Sequence, residues 1–541
     1  MKTFFIFLFI FSFLKLYSQE ISTSISNTLR YGSGFERIGE ASQIEYRKEY
    51  FENFLDTRIF SKNFTIGFRL DMYQQPEYGI PFRGLKKRYV EFTKNKISIR
   101  AGNFNAMFSK GLSLNIFENK SLAFDTQIDG IKSEFKSKTF DATILGGEID
   151  FVEPITIKDL PPLREEKYSI RAINTELKPL KEFSFGGSFV WAKGKHPNFF
   201  QTQDSSITQV GEIFSELRNK NVDFNINYLK KFSKINSIDI SNGYAIYSSL
   251  SYSSGQFGMT IEYKNYAFDI VDYLTRISTQ PPMSYRNTRM LPFQNPPIVH
   301  KEHSFTLLSR YPHIVDFNDE VGFQLDIFYA LNNKTNLSFN SSLSSRHFGD
   351  FVNSNFVASK KEIGKIFLPS FENSRSPFSE LYFDIEHFYD EANSYIKIAV
   401  NKRSEITYDA NPFQIYKSPK LTTITLPFVL NHSFSDITAV KFAIENQWYQ
   451  KKDDKYFNQL SSLQITNANF SCGIRYERTT NKYEIEGKQN WVIAECAYRF
   501  GSEHSLSLSY GEERGGQVCS NGICRTVSPY SGLRMSLTSQ F

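Results

Sequence analysis

Gly532-Leu533-Arg534-Met535-Ser536-Leu537-Thr538-Ser539-Gln540-Phe541 ends the chain, and its reading decides the fold. Leu533, Met535, Leu537 and Phe541 fall on one parity; Arg534, Ser536, Thr538 and Gln540 fall on the other. A period of two means an extended strand with one apolar and one polar face. The strand closes on an aromatic residue.

The same alternation recurs upstream. Phe64, Ile66, Phe68, Leu70 and Met72 interleave with Thr65, Gly67, Arg69, Asp71 and Tyr73. Phe183, Phe185, Phe189 and Trp191 interleave with Ser184, Gly186 and Ser188. Phe257, Met259, Ile261 and Tyr263 alternate with Gly258, Thr260, Glu262 and Lys264, and Val440, Phe442, Ile444 and Trp448 with Lys441, Glu445, Gln447 and Tyr449. Each run is about nine to eleven residues, enough to cross a bilayer at the usual tilt. The polar face carries full charges of both signs, which a packed core would not hold unpaired but a wet or plugged lumen would.

Composition agrees. Aromatics make up 16% of 541 residues, with 53 Phe and 30 Tyr, yet mean hydropathy is negative. A ring-rich, polar chain suits a structure that is apolar outside and wet inside, with Tyr, Phe and Trp at the membrane interfaces. The net charge of +6, from 63 basic and 57 acidic residues, is too balanced to indicate nucleic acid.

At the front, Lys2 precedes the apolar run Phe4 to Leu14, and Ser18 offers a small residue before Gln19. This is the layout of a secretory signal peptide over residues 1–18, too short to span a membrane as a helix. The mature chain 19–541 then reads as one all-β domain, with no separate plug domain ahead of the alternation at Ile21. The fold expected is a transmembrane up-and-down antiparallel β-barrel of roughly 22–26 strands with long extracellular loops.

Read back from Phe541, short connections such as Gly501-Ser502-Glu503 and Thr466 to Asn469 alternate with longer ones, Glu512 to Ser531, Thr480 to Gln489 and Lys451 to Tyr456. Short periplasmic turns and long outer loops are the rule for such barrels. Pro427 marks a bulge or bend. The longest irregular stretches are Phe151 to Glu166, Lys193 to Asn219, Phe268 to Lys301 and Asp350 to Ser376, and loops that long are usually functional or disordered.

Candidate chemistry is sparse. His300-Lys301-Glu302-His303 is not the zinc motif, since the glutamate is misplaced. It precedes an alternating stretch, Ser304 to Tyr311, where a spacing of three puts the two rings on opposite faces. No metal, cofactor or catalytic residue is assigned. A rim hydrolase, with His347 or His387 as nominal bases, ranks below a non-enzymatic role. Cys519 and Cys524 flank Asn521-Gly522, a tight turn in an outer loop, and a disulfide is expected between them. Cys472 and Cys496 lie on apolar faces of adjoining strands and are expected to be free, lipid-facing thiols.

Further patches resemble a family from Bacteroidetes secreted-protein sets, an outer-membrane barrel family catalogued only as a domain of unknown function. They are Arg100-Ala101-Gly102-Asn103-Phe104 with Phe108 and Gly111-Leu112, Asp129-Gly130, Lys301-Glu302-His303, Ser309-Arg310-Tyr311, Val321 to Gln324, Gly515 to Arg525 and Ser536 to Phe541. The resemblance implies a barrel in the outer membrane of a diderm bacterium and carries no activity. The terminal Phe541 is also the mark by which outer-membrane barrels resemble one another, as the signal that barrel-assembly machinery engages.

Arg100, Asn103 and Arg310 are candidate lumen or rim residues. They either hold a plug or loop by charge pairing, the favoured role, or line a solute path. The partners expected are outer-membrane lipid, the assembly machinery and other envelope proteins. The reading is a porin-like channel or transporter whose occlusion, if any, comes from inward-folded loops such as Phe268 to Lys301. The alternative is a scaffold in a secretion or uptake complex.

Overall fold

A barrel strand need not bury a face against a second sheet, so alternation alone can build the wall once the sheet closes on itself. The computed structural model describes residues 21–37, 45–153, 164–197, 203–268, 291–313, 315–352, 358–362, 364–390, 393–406, 420–482, 484, 488–520 and 523–541. They form one 24-stranded sheet in which each strand pairs antiparallel with its sequence neighbours. The first strand, Ile21–Arg37, pairs with the last, Tyr530–Gln540, from Ser26–Gln540 to Glu36–Tyr530, and so closes the cylinder. Phe541 adds reciprocal backbone bonds to Ile25 at that seam.

The faces fall as the alternation requires. Phe64, Leu70, Phe185, Phe189, Ile261 and Trp448 are exposed on the outside, whereas Arg69, Asp71, Ser184, Ser188, Lys264, Glu445 and Gln447 are buried within. Strands are longer than the apolar runs suggest: Ile21–Arg37 and Glu45–Ser61 each extend 17 residues, beyond the length that crosses a bilayer. The stretch Lys193 to Asn219, expected to be irregular, lies mostly in strands Phe183–Pro197 and Gln203–Arg218. Their alternation, polar inward and apolar outward at Ile207, Ile213 and Leu217, resumes after Pro197 and reclaims the segment.

One rim carries only short turns, such as Lys62-Asn63, Asn95-Lys96 and Gly501 to Glu503. The long connections stand at the other rim. Lys451 to Tyr456 does not form a loop: strands Thr438–Lys451 and Asp454–Asn467 join through Lys452-Asp453 alone. Pro427 produces no register shift, since Ile398–Phe428 and Asn401–Thr425 keep one register. The ladder skips the rungs between them, as the missing proline N–H requires.

Cys472 and Cys496 are joined by a disulfide, which corrects the expectation of free thiols. They are direct register partners on neighbouring strands, with Cα atoms 4.2 Å apart. Apolar surroundings alone could not distinguish a thiol from a bridge; the register does. Cys519 and Cys524 also stand opposite one another, in the small hairpin Gly516–Ser520 and Ile523–Val527. The side chains on which the expected disulfide depends lie outside the described residues, as do the signal peptide and its cleavage site.

Candidate functional site

A cylinder this wide encloses more volume than its inward side chains fill, and the chain fills part of it with two of its own loops. Residues 105–127 and 291–319 fold into the lumen from the long-loop rim. On one side of the barrel they form an apolar core. Leu112, Leu114, Ile116, Phe293, Val299 and Phe317 pack against inward residues Ile149, Ile170, Val190, Val210 and Leu229. Burying each such side chain stabilises by about 1.5–3 kcal/mol. The inward parity of these wall strands is therefore apolar where the plug touches them. That departure from polar inward alternation is the sequence signal for a plug.

Elsewhere around the wall the plug is held by polar contacts with wall residues. The stretch Ser304 to Tyr311 is not the strand its alternation suggested. Residues Thr306–Ser309 form one helical turn whose first amides need acceptors. Glu445 supplies them, accepting from Thr306 N at 3.0 Å and Leu307 N at 2.7 Å. Gln447 donates to Leu307 O at 2.8 Å, and its own carbonyl accepts from Asn458 at 2.9 Å. Lys264, fully buried, pairs with Glu320 at 2.8 Å and donates to Ile298 O at 2.5 Å. His303 faces Glu380 at 3.2 Å. The other loop is tied by Arg69 to Glu118 at 2.7 Å and by Lys87 to Asp125.

Arg310 sits at the centre of the most heavily bonded of these ties. It pairs with Glu477 at 2.5 Å and donates to Gly515 O at 2.7 Å. Arg514 reaches the same Glu477 at 2.9 Å, pairs with Glu484 at 2.7 Å and lies over the Trp491 ring. Burial pulls the Arg310 guanidinium below its ordinary range, with the Glu477 charge opposing it. One cluster therefore joins the plug, the wall and the loop that leads to Cys519.

Arg100 and Asn103 lie elsewhere, on strand Ile97–Phe104. Arg100 stacks on Tyr89 at 3.5 Å, pairs with Glu91 at 3.4 Å and donates to Asn103 O at 3.0 Å. Asn103 accepts from Arg88 N at 2.9 Å. Gly102 between them has φ +103°, and a Cβ there would meet Arg88 O at 2.2 Å. These residues tie strand Ile97–Phe104 to its neighbour Phe82–Lys94, and no contact with Arg310 is made among the described residues.

Three cavities follow one another along the wall near the closure seam. The largest, about 720 Å³, lies in the half nearer the short turns and is lined by Arg30, Lys441, Glu495 and Ser536 among others. It shares Thr306 and Arg475 with a second cavity of 190 Å³, which shares Trp491, Glu512 and Glu513 with a third of 30 Å³ beside Phe35 and Lys488. Arg475 and Arg534 both pair with Glu513 where the first two meet.

Among the described residues one group has the order of a hydrolytic trio: Ser344 Oγ is 3.3 Å from His313 Nε2, and Glu405 is 2.8 Å from Nδ1. Nε2 also faces Glu320 at 3.1 Å. Burial alone would lower this imidazole, but Glu320 and Glu405 outweigh it and hold it above its ordinary value. The ring stands between the Glu320 and Glu405 carboxylates and is stacked on Phe378 at 4.0 Å. It fastens the plug. His300, buried beside it, is pushed down to about 3 and stays neutral. His387, at the short-turn rim, contacts Thr335.

The sequence model of a family described as "Family of unknown function (DUF6029)" matches residues 1–541. No curated protein matches. Among solved structures, the chain is similar to the copper transporter OprC, with 9% identity over 96% of this chain and 80% of that one and a TM-score of 0.46. It is also similar to the siderophore receptor PirA of Pseudomonas aeruginosa, at 6% identity, 96% and 80% coverage and a TM-score of 0.44. The P pilus usher PapC translocation pore gives 8%, 96% and 99%, with a TM-score of 0.38.

Proposed function

We propose, for a chain that belongs to the DUF6029 family and takes no activity from it, that it is an outer-membrane transporter of small polar solutes, gated by its own plug. In this reading residues 1–18 direct export, the short turns face the periplasm and the long loops face outward. The observation that carries it is the line of cavities along the seam. A solute-sized chamber ends at the Arg475–Glu513–Arg534 pairs, beyond which the second cavity opens beside the plug, and charges placed there would select what passes.

Purified full-length protein in planar bilayers tests this. Low, intermittent conductance in the native protein, rising when the Arg310–Glu477 latch of the plug is cut by Arg310→Ala, is expected. A large, steady conductance in the native protein would refute gating. A barrel that inserts, never conducts even with the latch cut, and copurifies with envelope proteins would establish the scaffold reading instead. N-terminal sequencing of the mature protein is expected to begin at Gln19.

A further inference from the structure

The long loop between strands Thr335–Ser345 and Phe378–Phe388 turns outward and lies against the exterior of the wall. Parity shows this. Asn265, Val321 and Ser345 are register partners across three neighbouring strands. Each lies on the outward parity, one step above the outward row Tyr263, Phe323 and Leu343, yet each is at most 1% exposed. What covers them is the segment 364–371.

Its backbone is sewn to that face by outward side chains. Tyr263 Oη donates to Phe367 O at 2.6 Å, Asn265 donates to Ile366 O at 3.0 Å, and Ser345 Oγ accepts from Ser370 N at 2.9 Å. His347 Nδ1 accepts from Ile366 N at 3.1 Å, while its Nε2 contacts Asn265 Oδ1 at 3.1 Å. Outward polar groups that lipid could not satisfy are thus paired. The strap presents Phe367, Leu368 and Phe371 instead, exposed by 67%, 72% and 73%.

Beside this apolar ridge stand two cations on the same exterior. Lys365 and Lys230 both approach the Tyr244 ring, at 5.1 and 5.9 Å. Neither has an ion-pair partner among the described residues. Two cations with an interfacial tyrosine, directly above exposed apolar side chains, match a lipid in both of its parts.

We infer that the strap 364–371 is a binding site for a phosphate-bearing lipid of the outer leaflet: Phe367, Leu368 and Phe371 lie among its acyl chains and Lys230 and Lys365 take its phosphate. The ridge is continuous with the lipid-facing wall below it, which favours lipid over a soluble partner. The site does not depend on the transport reading, because it lies on the other side of the wall from the cavities.

Leu368→Trp adds a reporter to the three native tryptophans. In phosphatidylglycerol–phosphatidylcholine vesicles, the emission added over the parent protein should be quenched by lipids brominated near the top of the acyl chain and be insensitive to aqueous acrylamide. The reverse pattern overturns the proposal. Native mass spectrometry of the detergent-solubilised barrel should show phosphatidylglycerol retained over phosphatidylcholine, with the preference falling by about tenfold in Lys230→Gln/Lys365→Gln. An unchanged preference overturns the phosphate assignment. Capture of a soluble protein that is lost in Phe367→Ser/Leu368→Ser, without bromolipid quenching, overturns the lipid in favour of a protein partner. Heat-modifiable migration identifies variants that assemble, so a folding failure is not read as loss of binding.

Discussion

Replacing Arg310 with Ala should open the plug while leaving the barrel intact. The side chain gives up a buried pair with Glu477 and two bonds to the carbonyls of Arg514 and Gly515, at 3.3 and 2.7 Å. Removing one partner of a buried ion pair costs about 3–5 kcal/mol when the other is left uncompensated. Here Glu477 keeps Arg514 at 2.9 Å, so its charge stays paired. The loss is then closer to that of hydrogen bonds to charged groups, about 2–3 kcal/mol in all. At ~1.4 kcal/mol per factor of ten, the ratio of open to closed plug should rise by roughly 30- to 140-fold.

Barrel closure involves none of these atoms, so heat-modifiable migration should be unchanged. Planar-bilayer openings and chymotrypsin cleavage near Phe305 and Tyr311 should both rise by about the factor given above. Arg310→Lys keeps the charge but loses the forked geometry and should fall between. If Arg310→Ala conducts and resists cleavage like the native protein, the latch does not hold the plug and the reasoning fails.

Three further outcomes are expected. His347 is held down to about 4 by burial, with Arg375 and Lys365 adding to the effect, so the docked strap contains a neutral ring. The undocked ring, near its ordinary 6.5, binds a proton first. Docking should thus be fully stable above pH 6.5 and weaken as pH falls toward 4, by at most about 3 kcal/mol. Hydrogen exchange at Ile366, corrected for intrinsic rate, should speed up between pH 7 and 5, and His347→Gln should remove the dependence. Deleting Phe541 should lower the amount of assembled barrel in the outer membrane far more than deleting a loop residue, measured by fractionation and immunoblot; equal yields would mean that it is not an assembly signal. Cys519 and Cys524 should be disulfide-bonded in protein isolated under alkylation, giving an intact mass with no alkylated thiol. Cys519→Ser/Cys524→Ser should still assemble, since so short a loop contributes about 2 kcal/mol at most.

Alternation by itself determined the wall. A strand's two faces are fixed by parity, so Phe185 and Ser184, or Trp448 and Gln447, were sorted before any contact was known. The closing strand and the division into a short-turn and a long-loop rim were legible for the same reason: both are local. What parity cannot say is what meets the inward face. Arg310 and Glu477, Thr306 and Glu445, and His313 and Glu405 are separated by 167, 139 and 92 residues, and only the closed cylinder brings them together.

The stretch Ser304 to Tyr311 shows the limit. Its local pattern favours a strand, but a segment enclosed by the wall answers to Glu445 and Gln447 rather than to its own period. Cys472 and Cys496 show the same limit: two apolar-faced thiols become a bond only when register sets them opposite. The strap was equally hidden, because Asn265 and Ser345 read as ordinary polar exceptions until the tertiary structure put a backbone over them. Sequence decides which way each wall side chain points, since that is set by the chain's own geometry. Tertiary structure decides what it meets, since that depends on closure and on which side of the wall each long loop turns.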